Sequence, residues 1–258
     1  MLRPLLIAAA VAALSACASS SAAPGPDAPA PLNPPPTKLT GYFAANPLDG
    51  KTILGPPPAA DSPHGRADRT LFEETRKLQG SARWKTAQQD NDLWGGGALK
   101  RFACAVGVDI NERQTPTALR LLHRVELDVR TVGTPAKNAY GRDRPMIGND
   151  APICVPREDW MRTNSSYPSG HSMTAWAWGL ILAELAPARA DAVLTVGRDS
   201  GESRIVCGVH FISDVEAGRT LGSAMVARLH AEPAFQADLT EAKREIAAAK
   251  AKPDGCEA

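Results

Sequence analysis

Three short clusters in this chain of 258 residues hold side chains that could act together on an anion. The first is Lys137-Asn-Ala-Tyr-Gly-Arg-Asp-Arg144-Pro145. The second is Tyr167-Pro168-Ser169-Gly170-His171. The third is Ser203-Arg204, then His210 after five residues and Asp214 after three more. Cations that converge on one spot repel unless an anion lies between them. A phosphate, with several acceptor oxygens, suits two Arg forks and a Lys point charge. The spacing of Lys137 and Arg144 puts them on one face if their segment is helical. Ser169 and Gly170 stand where an apolar helix is expected to open. Free N–H groups and the helix dipole favour an anion there, and Gly170 admits a close approach. His210 and Asp214 are one helical turn apart, which would let the carboxylate fix the tautomer of the imidazole and stabilise its charged form. Taken singly, each cluster reads as a solvated helix face, a turn or a surface pair. Their joint occurrence, in order, points to chemistry.

That ordered set resembles the three signature motifs of the type 2 phosphatidic acid phosphatase superfamily. Within it the chain resembles the bacterial class A non-specific acid phosphatases. Leu54-Gly-Pro-Pro-Pro-Ala-Ala-Asp61 is similar to their N-terminal part, and Asn164-Ser-Ser-Tyr-Pro-Ser-Gly-His171 to their Tyr-containing second motif. The similarity spans residues 46–235. It implies hydrolysis of phosphate monoesters to an alcohol and phosphate. His210 would be the nucleophile that forms a phosphohistidine, Asp214 its orienting group, and His171 the general acid and then the base. Lys137, Arg144, Ser169, Gly170 and Arg204 would bind the phosphate. The interior of the first motif, Asn138 to Asp143, is more polar than in class A relatives, a departure that bears on substrate preference. The same superfamily contains membrane lipid phosphatases and vanadium haloperoxidases. A phosphatidate-type lipid phosphatase and a vanadium-dependent haloperoxidase are therefore the alternatives, with a non-catalytic phosphate-binding protein as a third. No cofactor is expected. No cluster of Asp, Glu or His has the spacing to cage a metal ion, so activity is expected to survive chelation. Two histidines in opposite protonation states, each titrating near pH ~6.5 if unperturbed, lead to the expectation of a mildly acidic, bell-shaped profile.

The elements that must position these residues are helical, and the expected fold is an all-α, single-domain helical bundle of the phosphatase and haloperoxidase kind. Leu71, Phe72, Thr75 and Leu78 recur at helix spacing. A polar helix is expected over 81–93, a break at Gly95-Gly96-Gly97, and an apolar helix over 98–108. Thr115 reads as an N-cap with Pro116 in the first turn of a helix running towards Thr131. Gly133, Pro135, Gly141 and Pro145 leave the next segment unassigned, and 146–168 reads as loop. A helix opened by Ser169 or Gly170 stops at Pro187, and others follow over 188–207, 210–230 and 235–251. The Ser169–Ala186 run is too short to span a bilayer and reads as a core helix.

The first residues, MLRPLLIAAAVAALSAC, have the charge, apolar run and small residues of an export signal. Leu14-Ser15-Ala16-Cys17 resembles a bacterial lipobox. Cys17 would then be lipidated and the enzyme tethered to the outer membrane, facing the periplasm; cleavage near Ala23 is the other reading. The expected organisation is a signal over 1–17, a Pro/Ala-rich linker over 18–63 serving as tether or extended wrap, a catalytic region over 64–252 and a tail over 253–258. A net charge of +1 predicts no nucleic-acid partner. Small phosphate esters are the expected partners, with membrane contact only through the lipid and with self-association implied by the class A resemblance. Cys104, Cys154, Cys207 and Cys256 allow three pairings into two disulfides, and buried free thiols remain open for Cys104 and Cys207. Asn164-Ser165-Ser166 fits a glycosylation acceptor, to which no role is assigned.

Overall fold

Gly and Pro punctuation divides the chain into helix-forming stretches, and the computed structural model bears out the all-α expectation. It describes residues 39–250 and 253–256. The expected signal over 1–17, with Cys17, and the linker as far as residue 38 lie outside the described residues. Within the described residues there are ten α-helices and no strand: α1 (Gly50–Leu54), α2 (Pro63–Thr75), α3 (Ala82–Asp90), α4 (Gly97–Val106), α5 (Pro116–Tyr140), α6 (Trp160–Thr163), α7 (Gly170–Leu185), α8 (Ala190–Cys207), α9 (Ile212–Leu229) and α10 (Pro233–Ala248). A 3₁₀ turn over Arg76–Leu78 extends α2. None of these helices is long and apolar enough to cross a membrane.

The centre of the bundle is α7, which packs mainly on α8 and α9. Apolar residues lie all around it, as in a helix buried on every side, and Met173, Trp178, Ile181 and Leu182 have no exposed surface. Small residues bring its neighbours close. A Cβ on Gly201 of α8 would lie 2.9 Å from Ser172 Oγ, and one on Gly218 of α9 would lie 2.5 Å from the Ser169 carbonyl oxygen. Glycine is what those two contacts permit. They seat the ends of α8 and α9 beside the start of α7, where the three sequence clusters meet.

The long helix α5 departs from expectation at both ends. It does not stop near Thr131 but continues through Gly133 and Pro135 to Tyr140. Proline removes one hydrogen bond from the ladder, yet Val132, Gly133 and Ala136 are buried, so packing carries the helix across it. At its start, Thr115 occupies the N-cap position but its side chain does not cap. Instead, the carboxylate of Glu245 on α10 accepts from the N–H groups of Thr117 and Ala118 at 2.9–3.0 Å. A residue far along the chain satisfies the orphan donors.

Of the Pro/Ala-rich stretch, residues 39–63 are described. Tyr42 and Phe43 are buried in the main core. Their N–H groups donate to the two oxygens of Asp128 on α5, at 2.9 and 3.0 Å. Burial pushes the Asp128 carboxyl up to about 6. Both cysteine pairs are disulfides, so the free-thiol alternative for Cys104 and Cys207 is overturned. Cys104 joins Cys256, tying α4 to the C-terminal segment, and Cys154 joins Cys207, tying the loop after α5 to the end of α8.

Candidate active site

Lys137 lies in the last turn of α5, which Gly141 ends in a left-handed conformation (φ 56°). Arg144 stands beyond the helix. The shared helical face expected for this pair does not exist; the turn at Gly141 brings them together instead. Lys137 Nζ donates to the Ser165 carbonyl. Arg144 is buried and held on several sides. Its Nε and Nη2 donate to the carbonyl and side-chain oxygens of Asn164 at 3.0 and 3.1 Å, and Nη1 donates to the Val209 carbonyl at 3.1 Å. The same Nη1 lies 3.2 Å from His210 Nε2.

His210 is not on a helix with Asp214. Helix α8 ends at Cys207 with Gly208 left-handed (φ 81°), and α9 begins at Ile212 with Phe211 as its N-cap. His210 sits in the connecting turn, and Asp214 is the third residue of α9. Asp214 Oδ2 accepts from the Phe211 N–H at 2.8 Å and from Ser166 Oγ at 2.5 Å; Oδ1 accepts from Arg142 Nη1 at 2.6 Å. His210 Nδ1 lies 3.5 Å from Asp214 Oδ2 but 3.2 Å from Ser166 Oγ. Hydrogen-bond bookkeeping then selects the tautomer. The carboxylate only accepts, so the Ser166 proton goes to Asp214 and its oxygen faces Nδ1–H. Arg144 only donates, so Nε2 carries the lone pair.

Behind Asp214 lies a network of charges. Arg142 Nη2 donates to Asp68 Oδ2 at 2.8 Å and Nη1 to Ser213 Oγ at 2.7 Å. Asp68, buried on α2, also accepts from the N–H and hydroxyl of Ser213 at 3.0 and 2.6 Å. Arg142 stacks over the Phe211 ring, 4.5 Å from its centre.

Ser169 is the N-cap of α7: its Oγ accepts from the Ser172 N–H at 3.3 Å, and its own N–H donates to the Asp214 carbonyl at 2.9 Å. Gly170 has an ordinary φ, and a Cβ there would meet nothing within 4 Å. Packing within the protein therefore does not demand glycine at this position. The N–H groups of Gly170 and His171, at the very start of α7, have no intrahelical partner by helix geometry. His171 Nε2 is 3.1 Å from the Asn91 carbonyl at the C-terminal end of α3. A carbonyl only accepts, so Nε2 carries a proton.

Electrostatics unite these side chains. Arg204 is buried, and its Nε and Nη1 have no partner. Burial and nearby Arg144 lower its guanidinium to about 9. The neighbouring carboxylate, Asp90, already accepts from Arg101 at 2.6 Å, Ser200 at 3.2 Å and Ser203 at 2.5 Å. Burial lowers Arg144 to about 10, and burial with Arg144 lowers Lys137 to about 7. Both imidazoles fall well below their ordinary range. His171 does so through burial and then Arg204, and His210 through burial and then Arg144, Lys137 and Arg204. Burial is the main cause of each shift towards neutrality, and for Lys137, Arg204, His171 and His210 the neighbouring cations add to it. Lys137, Arg144, His171, Arg204 and His210 thus form one cluster, with Ser169 and Gly170 beside it and Asp214 behind His210.

Sequence reasoning missed several participants. Asn164 and Ser166 lay inside the tripeptide read as a glycosylation acceptor, and Arg142 lay unremarked inside the first cluster. Asp68 and Asp90 carried no local signal. Among the described residues, no three His, Cys, Asp or Glu side chains converge as metal ligands.

The family model for the PAP2 superfamily matches residues 127–234. An acid phosphatase of Zymomonas mobilis subsp. mobilis is 39% identical over 213 residues, covering 82% of this chain and 79% of the relative. A non-specific acid phosphatase of Providencia stuartii is 37% identical over 224 residues, covering 85% of this chain and 90% of the relative. The crystal structure of a bacterial vanadium-dependent iodoperoxidase superposes with a TM-score of 0.52 at 17% identity. The match covers 76% of this chain and 59% of that one, a likeness of fold.

Proposed function

The chain belongs to the PAP2 superfamily and is an acid phosphatase, and we propose that it hydrolyses phosphate monoesters through a phosphohistidine at His210 without a metal ion. The observation that carries this reading is Arg204: a buried guanidinium with two unpartnered donors, beside Arg144, which in turn neighbours Lys137. Unpaired buried charge is costly. A phosphate between these cations would offset that cost and satisfy the open donors.

The transition state of phosphoryl transfer spreads negative charge over the equatorial oxygens, where fixed cations and the N–H groups at the start of α7 would act. The lone pair on His210 Nε2 forms a bond to phosphorus as the bond to the ester oxygen breaks. His171, protonated in the complex, gives its proton to the leaving alcohol. Neutral His171 then takes a proton from water, whose oxygen displaces Nε2 and releases phosphate. Ser166, itself held by Asp214, accepts from Nδ1–H, and the carboxylate behind it stabilises the ring while it carries positive charge. His171 is pushed low in the empty site by burial and Arg204. A phosphate dianion offsets that repulsion and favours its protonated form. Because kcat/KM reports the free enzyme, its decline on raising the pH should follow the lowered His171, and an optimum on the acid side of an ordinary histidine is expected.

Quenching the enzyme with a radiolabelled phosphate ester tests the intermediate. An acid-labile, alkali-stable label should appear on the wild type and not on His210→Ala. Labelling that persists in the variant, or activity lost to EDTA and restored by metal, would overturn the mechanism. Export to the periplasm, a Cys17 lipid anchor and self-association belong to the same proposal. Mass spectrometry of the mature N-terminus and sedimentation test them; an unacylated terminus and a monomer would remove the last two.

A further inference from the structure

Trp160 is one of two large hydrophobic side chains left exposed among the described residues, at 41%. A single exposed tryptophan needs no explanation. Its position does. The guanidinium of Arg144 lies over its ring, 5.3 Å from the centre, and Arg144 is the side chain that reaches His210 Nε2 at 3.2 Å. The exposed indole is therefore one side chain away from the atom assigned to attack phosphorus.

Trp160 opens the short helix α6, and the loop that leads into it is well anchored. Arg157 donates to the carbonyls of Met146, Asn149 and Ala151 at 2.9, 2.8 and 2.7 Å. Cys154 is bonded to Cys207, and its N–H donates to the Cys207 carbonyl at 3.0 Å. The Asn164 N–H closes on the Trp160 carbonyl at 2.9 Å, while the Asn164 side chain holds Arg144. The indole Nε1 donates to Glu158 Oε2 at 2.6 Å. These contacts set the height and tilt of the ring relative to Arg144 before any ligand arrives, and preorganisation of this kind lowers the entropic cost of binding.

We propose that the exposed part of Trp160 is the platform for the organic half of the substrate, so that the site prefers phosphate monoesters of aromatic alcohols and nucleosides over small alkyl phosphates. The inference rests on the phosphatase reading and deepens it. With the phosphate held at Arg144 and His210, the ester substituent is the part of the substrate that can reach the indole. A planar group stacks there, whereas a short alkyl chain offers little surface.

The test compares wild type, Trp160→Ala and Trp160→Phe on phenyl phosphate, adenosine 5′-monophosphate and ethyl phosphate, with inhibition by inorganic phosphate as a control that carries no organic half. Stacking of one base is worth a factor of roughly 5 to 150 in affinity. Trp160→Ala should lose about that factor in kcat/KM on the two aromatic substrates, mainly through KM. The loss on ethyl phosphate and the change in phosphate inhibition should be several-fold smaller, and Trp160→Phe should recover most of the difference. Equal losses on all three substrates, or no loss on the aromatic pair, would overturn the platform and leave the phosphatase reading standing. Absence of His210-dependent hydrolysis of any ester by the wild type would instead remove the reading beneath it.

Discussion

Replacing Ser166 with Ala tests whether Asp214 acts on His210 directly or through the serine hydroxyl. Ser166 is fully buried, with its oxygen 2.5 Å from Asp214 Oδ2 and 3.2 Å from His210 Nδ1. Without it, Nδ1–H loses that acceptor. Asp214 cannot easily substitute, because Arg142 and the Phe211 N–H hold its carboxylate with Oδ2 3.5 Å from Nδ1. The ring gains positive charge as Nε2 bonds to phosphorus, so the lost contact is a hydrogen bond to a charged group, about 1.5–3 kcal/mol. If it is stronger in the transition state than in the ground state, kcat should fall roughly 10- to 150-fold. The groups expected to hold phosphate are untouched, so KM and inhibition by phosphate should stay near wild-type values. Stopped-flow measurement of the first turnover with p-nitrophenyl phosphate should show slower phosphorylation of the enzyme. An unchanged kcat would refute the reasoning. So would phosphate binding that weakens in parallel with kcat, since that pattern marks a collapsed site rather than a misplaced imidazole.

Arg204→Leu removes a buried charge with open donors. Its ligand-free melting temperature should match or exceed that of the wild type, while activity falls at least ~100-fold and phosphate no longer raises the melting temperature; a less stable ligand-free variant would show that Arg204 is structurally paired. Lys137, lowered to about 7 by burial and Arg144, is charged below that pH and neutral above it. Inhibition by sulfate, whose own charge is constant over this range, should therefore weaken as the pH rises through about 7 in the wild type and lack that limb in Lys137→Met; a pH-independent wild type would contradict this. Asp128→Asn leaves one of two buried N–H donors facing an NH₂ group. Urea denaturation should show a loss of about 1–3 kcal/mol with unchanged kinetics, and undiminished stability would show that the Tyr42–Phe43 segment does not depend on this contact.

Much of the fold could be read locally. The start of α7 follows from Ser169 as a cap with Gly170 after it, and the stop before Pro187 follows from backbone sterics; both signals lie within a few residues of the feature they set. The cations, histidines and carboxylate that converge were likewise visible as residue types in order. Their geometry was not. The helical spacing that would pair Lys137 with Arg144 fails because Gly141 ends the helix between them, and His210 lies outside the helix that holds Asp214. Ser166 comes between Nδ1 and Asp214 because the turn before α7 packs against the start of α9. Arg142 pairs with Asp68 and Asp214 at once, Glu245 caps α5 in place of Thr115, and the disulfides join Cys104 to Cys256 and Cys154 to Cys207. Helix starts and stops depend on sterics and hydrogen bonds among near neighbours, which sequence displays directly. Partner choice depends on which distant groups remain to satisfy a buried charge or donor, and that is settled only when the helices pack.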